Sequence, residues 1–176
     1  MQISRIIITN FRNIKKVDVT LNQTTVLLGE NNSGKSNFLK ALSLPFLSEG
    51  SHSKNLSWLD INSTARDSYY EFLLSNKKSI IDNTMDVIEF SNSLPEISVC
   101  VELTADPVDC YYLKELATEV TEDEIKYALC YEYKPRKNNK IYEIVKDILS
   151  SEEVDEDNIS KIQLSLLPTV ERRTLA

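Results

Sequence analysis

The stretch Gly29–Leu42 has the sequence GENNSGKSNFLKAL and holds two of the three glycines in a chain of 176 residues. Its first eight residues match G-x-x-x-x-G-K-[ST] at every fixed position, which is the pattern of a loop that cradles phosphate groups. In a chain of this length the pattern arises by chance in under ~1% of cases. An apolar segment precedes it and an amphipathic segment follows it. The stretch therefore predicts a nucleotide-binding loop between a strand and a helix.

The residue types of this stretch suit a phosphate chain. Glycine lets backbone N–H groups turn inward around an anion, and the following helix points its free N–H groups and positive dipole end at the same place. Lys35 is placed to reach the β- and γ-phosphates of ATP, and the Ser36 hydroxyl to bind Mg²⁺. The alternative is a glycine turn with an exposed lysine. The candidate nucleotide-binding residues of the loop are Gly29, Glu30, Asn31, Asn32, Ser33, Gly34, Lys35, Ser36 and Asn37.

Composition excludes several classes of protein. Hydrophobic residues make up 41% and charged residues 27% of the chain, which is ordinary for a globular protein. No run approaches the ~18 apolar residues of a membrane span, and no secretory signal is present, so we expect a cytoplasmic protein without membrane contact. Three cysteines lie ten and twenty residues apart beside a single histidine. This spacing does not suit zinc, and we expect free, buried thiols.

Charge is distributed unevenly along the chain. Residues 1–43 carry six basic and two acidic side chains, a net charge of +4, whereas the whole chain has −7. The positive part contains the glycine-rich stretch and favours an anionic ligand there. The acidic remainder argues against one broad surface for nucleic acid.

The segments around the loop predict an α/β P-loop domain with a mixed sheet. Ile3–Thr9 and Val17–Leu21 have the pattern of a β-hairpin, and Thr24–Leu28 that of a strand buried on both faces. The helix after the loop runs from Gly34 or Lys35 to Leu42 or Leu44, before Pro45. Three divisions follow: a hairpin and P-loop core at 1–44, a polar and helical insert at 45–96, and an α+β lobe of the same domain at 97–176.

Elements of the insert and the lobe are less sharply marked. Residues 45–66 are polar and predicted to be irregular. A capping-box pattern predicts a short helix from Thr121, and Lys140–Ile144 is expected to be the return strand of a hairpin, with a helix after it. The remaining predictions are a helix at 68–81, strands at 97–103 and 127–133, a turn at 134–140 and a last helix that ends at Pro168.

The order of these elements resembles a known group of ATPases. A hairpin before the phosphate loop is similar to the ABC-type ATPase heads of the RecF/SMC group. The residues NFRNI at 10–14, followed by VLLGENNSGKSNFLKAL at 26–42, most resemble the OLD family of ATP-dependent endonucleases, which includes the nuclease of the Gabija anti-phage system. The specific resemblance covers about the first 45 residues of the chain.

The resemblance implies further residues, partners and activities. It places the loop from Asn10 to Lys16 beside the nucleotide, with Arg12 near its phosphates or base and Asn13 in the site; the alternative for Arg12 is an exposed turn residue. It implies ATP hydrolysis coupled to a nuclease in the full-length protein. It also implies three kinds of partner: DNA, further copies of the chain in a homodimer or higher homo-oligomer through the ATPase heads, and an accessory defence protein. A RecF/SMC-like repair ATPase without nuclease and a nucleotide-binding scaffold without hydrolysis are the alternatives.

Several parts of such an ATPase are not found in the sequence. Walker B acids should follow an apolar strand, and only Glu102 and Glu132 come near that pattern. The serine-glycine signature is absent. Gln163 is a candidate for the metal-sensing glutamine, with a solvent-facing helix residue as the alternative. Residues 155–157 have the D-x-D spacing of a Toprim nuclease but follow a polar segment, so an acidic linker is favoured. The C-terminal half of the family's domain is therefore expected to be absent, and the catalytic residues are not identified.

One basic cluster offers a candidate contact to DNA. It lies near 134–140 among tyrosines, a composition that suits nucleic-acid phosphates and bases. An ordinary charged turn is the alternative. The cluster consists of Lys134, Arg136, Lys137 and Lys140.

Overall fold

The computed structural model of the chain describes residues 2–46, 56–105, 117–120, 125–134, 139–151, 159, 162 and 167–172. These residues include six strands, four helices and two short 3₁₀ turns, Leu44–Phe46 and Trp58–Asp60. The strands are β1 (Gln2–Phe11), β2 (Ile14–Thr20), β3 (Ile97–Ala105), β4 (Ala117–Val120), β5 (Ile125–Lys134) and β6 (Leu167–Arg172). The helices are α1 (Lys35–Ser43), α2 (Ser63–Ile81), α3 (Val87–Ser93) and α4 (Asn139–Ser150).

The strands form one sheet in the order β2-β1-β3-β5-β4, and β6 also pairs with β5. Strands β4 and β6 lie along successive parts of β5, because β4 pairs with residues 125–127 and β6 with residues 129–134. The predicted hairpin is confirmed as β1 and β2, with Ile8 opposite Val17. All pairings between the described strands are antiparallel. The expected mixed sheet is therefore wrong for this part of the chain.

The core lies between the sheet and the helices. Alternate residues of β3, among them Ile97, Val99 and Val101, are fully buried, as the period-two pattern predicts. Helix α1 packs against β1 and β3, and α2 and α3 pack against α4. One buried cluster joins residues from all these elements, so helix α1 rests on a continuous core.

The segment Thr24–Leu28 is not a strand, contrary to the prediction. Residues 21–30 have no regular secondary structure, and Val26 and Leu28 are 70% and 89% exposed. A strand needs a neighbour for its backbone N–H and C=O groups, and no described strand pairs with this segment. The segment is apolar in composition, but burial depends on a partner that composition does not supply.

Four other predictions are changed by tertiary packing. Residues 56–62 are ordered rather than irregular, because Trp58 and Ile61 are buried, and helix α2 already begins at Ser63. Residues 140–144 lie in α4 and not in a return strand. The short helix predicted from Thr121 falls on residues 121–124, which lie outside the described residues, and β5 begins at Ile125. Beyond position 151 only residues 159, 162 and 167–172 are described, and a strand occupies 167–172, where the last helix was expected to end.

Two of the three cysteines are joined, which corrects the expectation of free thiols. The register of β3 and β5 places Cys100 directly opposite Cys130, and the two sulfurs form a disulfide. Sequence spacing alone does not reveal this pairing, because it follows from strand register. Cys110 lies outside the described residues.

Candidate nucleotide-binding site

Helix α1 begins directly after the glycine-rich loop, and its N-terminus is open. The first helical hydrogen bond runs from the Phe38 N–H to the Gly34 carbonyl at 2.9 Å. The N–H groups of Lys35, Ser36 and Asn37 therefore have no helical acceptor. The cap residue Gly34 makes no side-chain cap bond, and the first turn holds no acidic residue. This end of the helix is suited to an anion.

Gly34 is required by the shape of the loop. Its φ angle of 101° lies in the region that residues with a side chain rarely adopt. A Cβ atom at this position would lie 2.7 Å from Asn13 Nδ2 and 3.1 Å from Asn13 Oδ1. The absence of a side chain thus lets the β1–β2 turn pack against the start of α1.

Lys35 folds back over the loop that precedes it. Its ammonium group donates to the carbonyl oxygens of Gly29 and Glu30, both at 2.6 Å, and to Ser33 Oγ at 3.4 Å. The Ser33 N–H in turn donates to the Glu30 carbonyl at 3.3 Å. These bonds close the loop into a cup and hold a positive charge at its rim.

An open cavity of about 670 Å³ lies in front of this cup. Backbone N–H groups, the Lys35 ammonium and amide N–H groups are donors, which is the set that a polyphosphate needs. The residues therefore fit the phosphates of ATP. Ser36 would supply one oxygen to Mg²⁺, whose other ligands would be phosphate oxygens and water. The lining residues are Asn13, Asn31, Asn32, Gly34, Lys35, Ser36 and Asn37.

Arg12 lies next to this cavity but does not line it. Its backbone is left-handed, with φ 53°, and its guanidinium group donates hydrogen bonds to two different residues. Nε donates to Asp60 Oδ1 at 2.8 Å and Nη1 donates to Asn37 Oδ1 at 3.1 Å. The Arg12 N–H also donates to the Asp60 carbonyl, and Asn62 Nδ2 donates to the Arg12 carbonyl. Arg12 is thus fixed between α1 and the segment before α2, and is not an exposed turn residue.

Asp60 is the charged partner in this arrangement. Its Oδ2 accepts from the Ser57 N–H at 2.8 Å and from Ser57 Oγ at 3.1 Å, while Oδ1 accepts from Arg12. Burial raises the pKa of the Asp60 carboxyl, but the hydrogen bonds from Ser57 and Arg12 outweigh burial and hold the pKa below its ordinary value. Asp60 is therefore an anion at neutral pH.

Asp60 was missed by sequence reasoning. Ser57 and Asp60 have the S-x-x-D spacing of a capping box, and the structure forms that box at the 3₁₀ turn. The spacing was a usable signal for local structure. Its connection to Arg12, 48 residues earlier, is decided only by the tertiary fold.

The acidic residues considered for Walker B are engaged elsewhere. Glu102 accepts from Ser4 Oγ at 3.0 Å, and Glu132 is buried in an ion pair with Lys134. Among the residues that the structure describes, no group of three or more His, Cys, Asp or Glu is placed to hold a metal ion. Gln163 and residues 155–157 lie outside the described residues.

The basic cluster near 134–140 is only partly described. Lys134 is neutralised by Glu132, and Lys140 is exposed at the start of α4. Arg136 and Lys137 lie outside the described residues. Contact of this cluster with DNA stays a prediction.

Residues 1–171 match the AAA ATPase domain family. The chain belongs to this family. Its fold is therefore that of a P-loop NTPase, and membership of an ATPase family implies that the domain binds nucleotide.

One curated relative adds a weaker likeness. The DNA replication and repair protein RecF of Rickettsia canadensis (strain McKiel) is 27% identical over 183 residues. The alignment covers 89% of this chain and 48% of the relative, so the chain spans about half the length of the relative that it matches. Across the described residues, no helix is both long and apolar enough to cross a membrane.

Proposed function

We propose that this ATPase domain binds ATP with Mg²⁺ through the cup at Gly29–Asn37 and serves a DNA-processing ATPase. The observation that carries the proposal is the uncapped N-terminus of α1, beside which Lys35 is held over the loop. Backbone N–H groups and the Lys35 ammonium would hold the phosphates, and Ser36 would hold Mg²⁺. When bound, Mg²⁺ neutralises phosphate charge.

The proposal is tested by Lys35→Ala with Lys40→Ala as its control. Loss of a charge-assisted contact to phosphate weakens binding by about 1.5–3 kcal/mol, or roughly ten- to a hundredfold. Lys40 lies in the last turn of the same helix and is exposed, so its loss should leave affinity nearly unchanged. Isothermal titration calorimetry with ATP and Mg²⁺ measures both variants. Equal affinity of Lys35→Ala and the parent chain would remove the assignment.

The link to DNA rests on two likenesses. The relative carries DNA replication and repair in its name. The hairpin before the phosphate loop resembles the RecF/SMC heads, and the residues at 10–14 and 26–42 most resemble the OLD family. In this proposal nucleotide binding across a head–head homodimer controls work on DNA in the cytoplasm. Phosphate release measured with and without DNA tests this. A rate that DNA does not change argues against the link to DNA, and no phosphate release in either condition argues for a scaffold that binds nucleotide without hydrolysis.

An endonuclease role in anti-phage defence, with an accessory protein, is the narrower proposal. It is supported by the NFRNI and phosphate-loop sequence alone, because the described residues contain no acidic metal cluster. Incubation of the protein with linear and circular DNA, with ATP and Mg²⁺, distinguishes the two. Intact DNA of both forms favours the RecF-like repair ATPase.

A further inference from the structure

Four polar side chains run in sequence from the 3₁₀ turn to the phosphate cup. Asp60 accepts from Arg12, Arg12 donates to Asn37, and Asn37 Nδ2 donates to Asn13 Oδ1 at 2.8 Å. Asn13 is the last of the four and lies against Gly34, on the wall of the cavity. We call this series the amide relay.

The direction of each hydrogen bond in the amide relay is fixed by chemistry. A guanidinium group has only donors, so the atom of Asn37 that faces Arg12 must be Oδ1. The amide of Asn37 then turns Nδ2 toward Asn13. Asn13 must accept this hydrogen bond with Oδ1, which leaves its own Nδ2–H₂ as the group beside Gly34. A free asparagine amide has no such preference.

We propose that the amide relay makes Asn13 a fixed N–H donor toward bound phosphate, with Asp60 as the positioning residue at its far end. This rests on the proposed function. A polyphosphate needs donors, and an amide with its oxygen toward the cavity would repel it. By holding Arg12, Asp60 selects the favourable one of the two amide orientations at a site it does not touch.

Asp60→Asn tests the relay because both carboxylate oxygens are in use. One oxygen accepts from Arg12 and the other from Ser57, and an asparagine must place an N–H group against one of these donors. We expect ATP affinity about three- to tenfold weaker, the range of one weakened hydrogen bond. Removing a negative charge near a polyphosphate would by itself strengthen binding. Unchanged or tighter binding therefore overturns the proposal.

A matched control for Asp60→Asn exists in the β1–β2 hairpin. Arg5 and Asp18 form a two-pronged ion pair, with Nε and Nη2 each 2.9 Å from a carboxylate oxygen, between β1 and β2. Asp18 is exposed and does not line the cavity. Asp18→Asn changes the charge by the same amount and should leave affinity for ATP unaltered.

A double-mutant cycle separates the relay from a general structural effect. Asn13→Ala removes the terminal donor and should weaken ATP binding about tenfold. If Asp60 acts through Asn13, Asp60→Asn causes no further loss of affinity in that background. A full additional loss in the double variant contradicts the relay. Asn37→Ala removes the half-buried middle of the relay, and with it the acceptor of Arg12 Nη1, but leaves the Arg12–Asp60 ion pair in place, and should match Asp60→Asn.

A measurement without nucleotide keeps the relay testable on its own. The side-chain NH₂ resonances of Asn13, observed by ¹H–¹⁵N NMR, should shift in Asp60→Asn and stay in place in Asp18→Asn. Unmoved Asn13 resonances in both variants refute the relay, whatever ATP does. Failure of the unaltered chain to bind ATP instead refutes the proposed function, while the NMR result still decides the relay.

Discussion

Gly34→Ala probes the geometry on which the phosphate cup depends. The new Cβ atom would lie 2.7 Å from Asn13 Nδ2, closer than any stable contact, and the backbone would keep a φ of 101°. Asn13 can swing away only by giving up its 2.8 Å hydrogen bond from Asn37. The substitution therefore combines backbone strain with the loss of one side-chain contact.

The magnitude follows from these two effects and one that opposes them. Backbone strain at this φ costs roughly 1–3 kcal/mol, and the lost hydrogen bond roughly 0.5–1.5 kcal/mol. Against these losses, alanine in place of glycine stabilises the fold by about 0.4–1 kcal/mol, because it lowers the conformational entropy of the unfolded chain. The net loss is about 2.3 kcal/mol at the centre of these ranges, which lowers Tm by roughly 5–9 °C in a chain of this size. ATP binding should weaken more than tenfold, because the side chain enters the cup.

Thermal unfolding followed by circular dichroism measures the effect. Asn32→Gly is the control for stability: Asn32 lies in the same loop with φ 65°, a conformation that glycine adopts without strain, so Tm should change little. In an Asn13→Ala background, the loss of stability from Gly34→Ala should no longer include the lost hydrogen bond of Asn13, but should still include the backbone strain. A Gly34→Ala variant with the Tm and ATP affinity of the parent chain would refute this account of the loop.

Two further predictions concern the sheet. The Cys100–Cys130 disulfide joins residues 30 apart, and its reduction should lower the free energy of unfolding by about 3–4 kcal/mol through chain entropy and lower Tm by roughly 10 °C. Alkylation of both Cys100 and Cys130 before any reduction would contradict the pairing. Burial, with the nearby Tyr133 and Asp60, raises the pKa of Tyr131 to about 12, and its hydroxyl has no hydrogen-bond partner among the described residues. Tyr131→Phe should therefore stabilise the fold by about 1 kcal/mol. The free energy of unfolding in urea of Tyr131→Phe, relative to that of the parent chain, should grow from pH 10 to pH 12, because the phenol ionises first in the unfolded parent chain while it stays neutral in the folded one. A difference that shrinks in that window contradicts the assignment.

The sequence by itself determined the parts of this protein that depend on local chemistry. The phosphate loop is set by glycines, a lysine and a serine at fixed spacing, and the β1–β2 hairpin and β3 by period-two patterns. Each of these signals lies within about twenty residues of chain. The prediction of a nucleotide-binding P-loop ATPase followed from them, and the family match supports it.

Tertiary structure decided everything that required a distant partner. Thr24–Leu28 has the composition of a buried strand, yet it is exposed because no described strand pairs with it. Cys100 and Cys130 are joined because the register of β3 and β5 sets them opposite each other. Asp60 reaches Arg12 across 48 residues of sequence. Pairing, register and ion-pair partners are properties of two segments at once, so the pattern of either segment alone does not contain them.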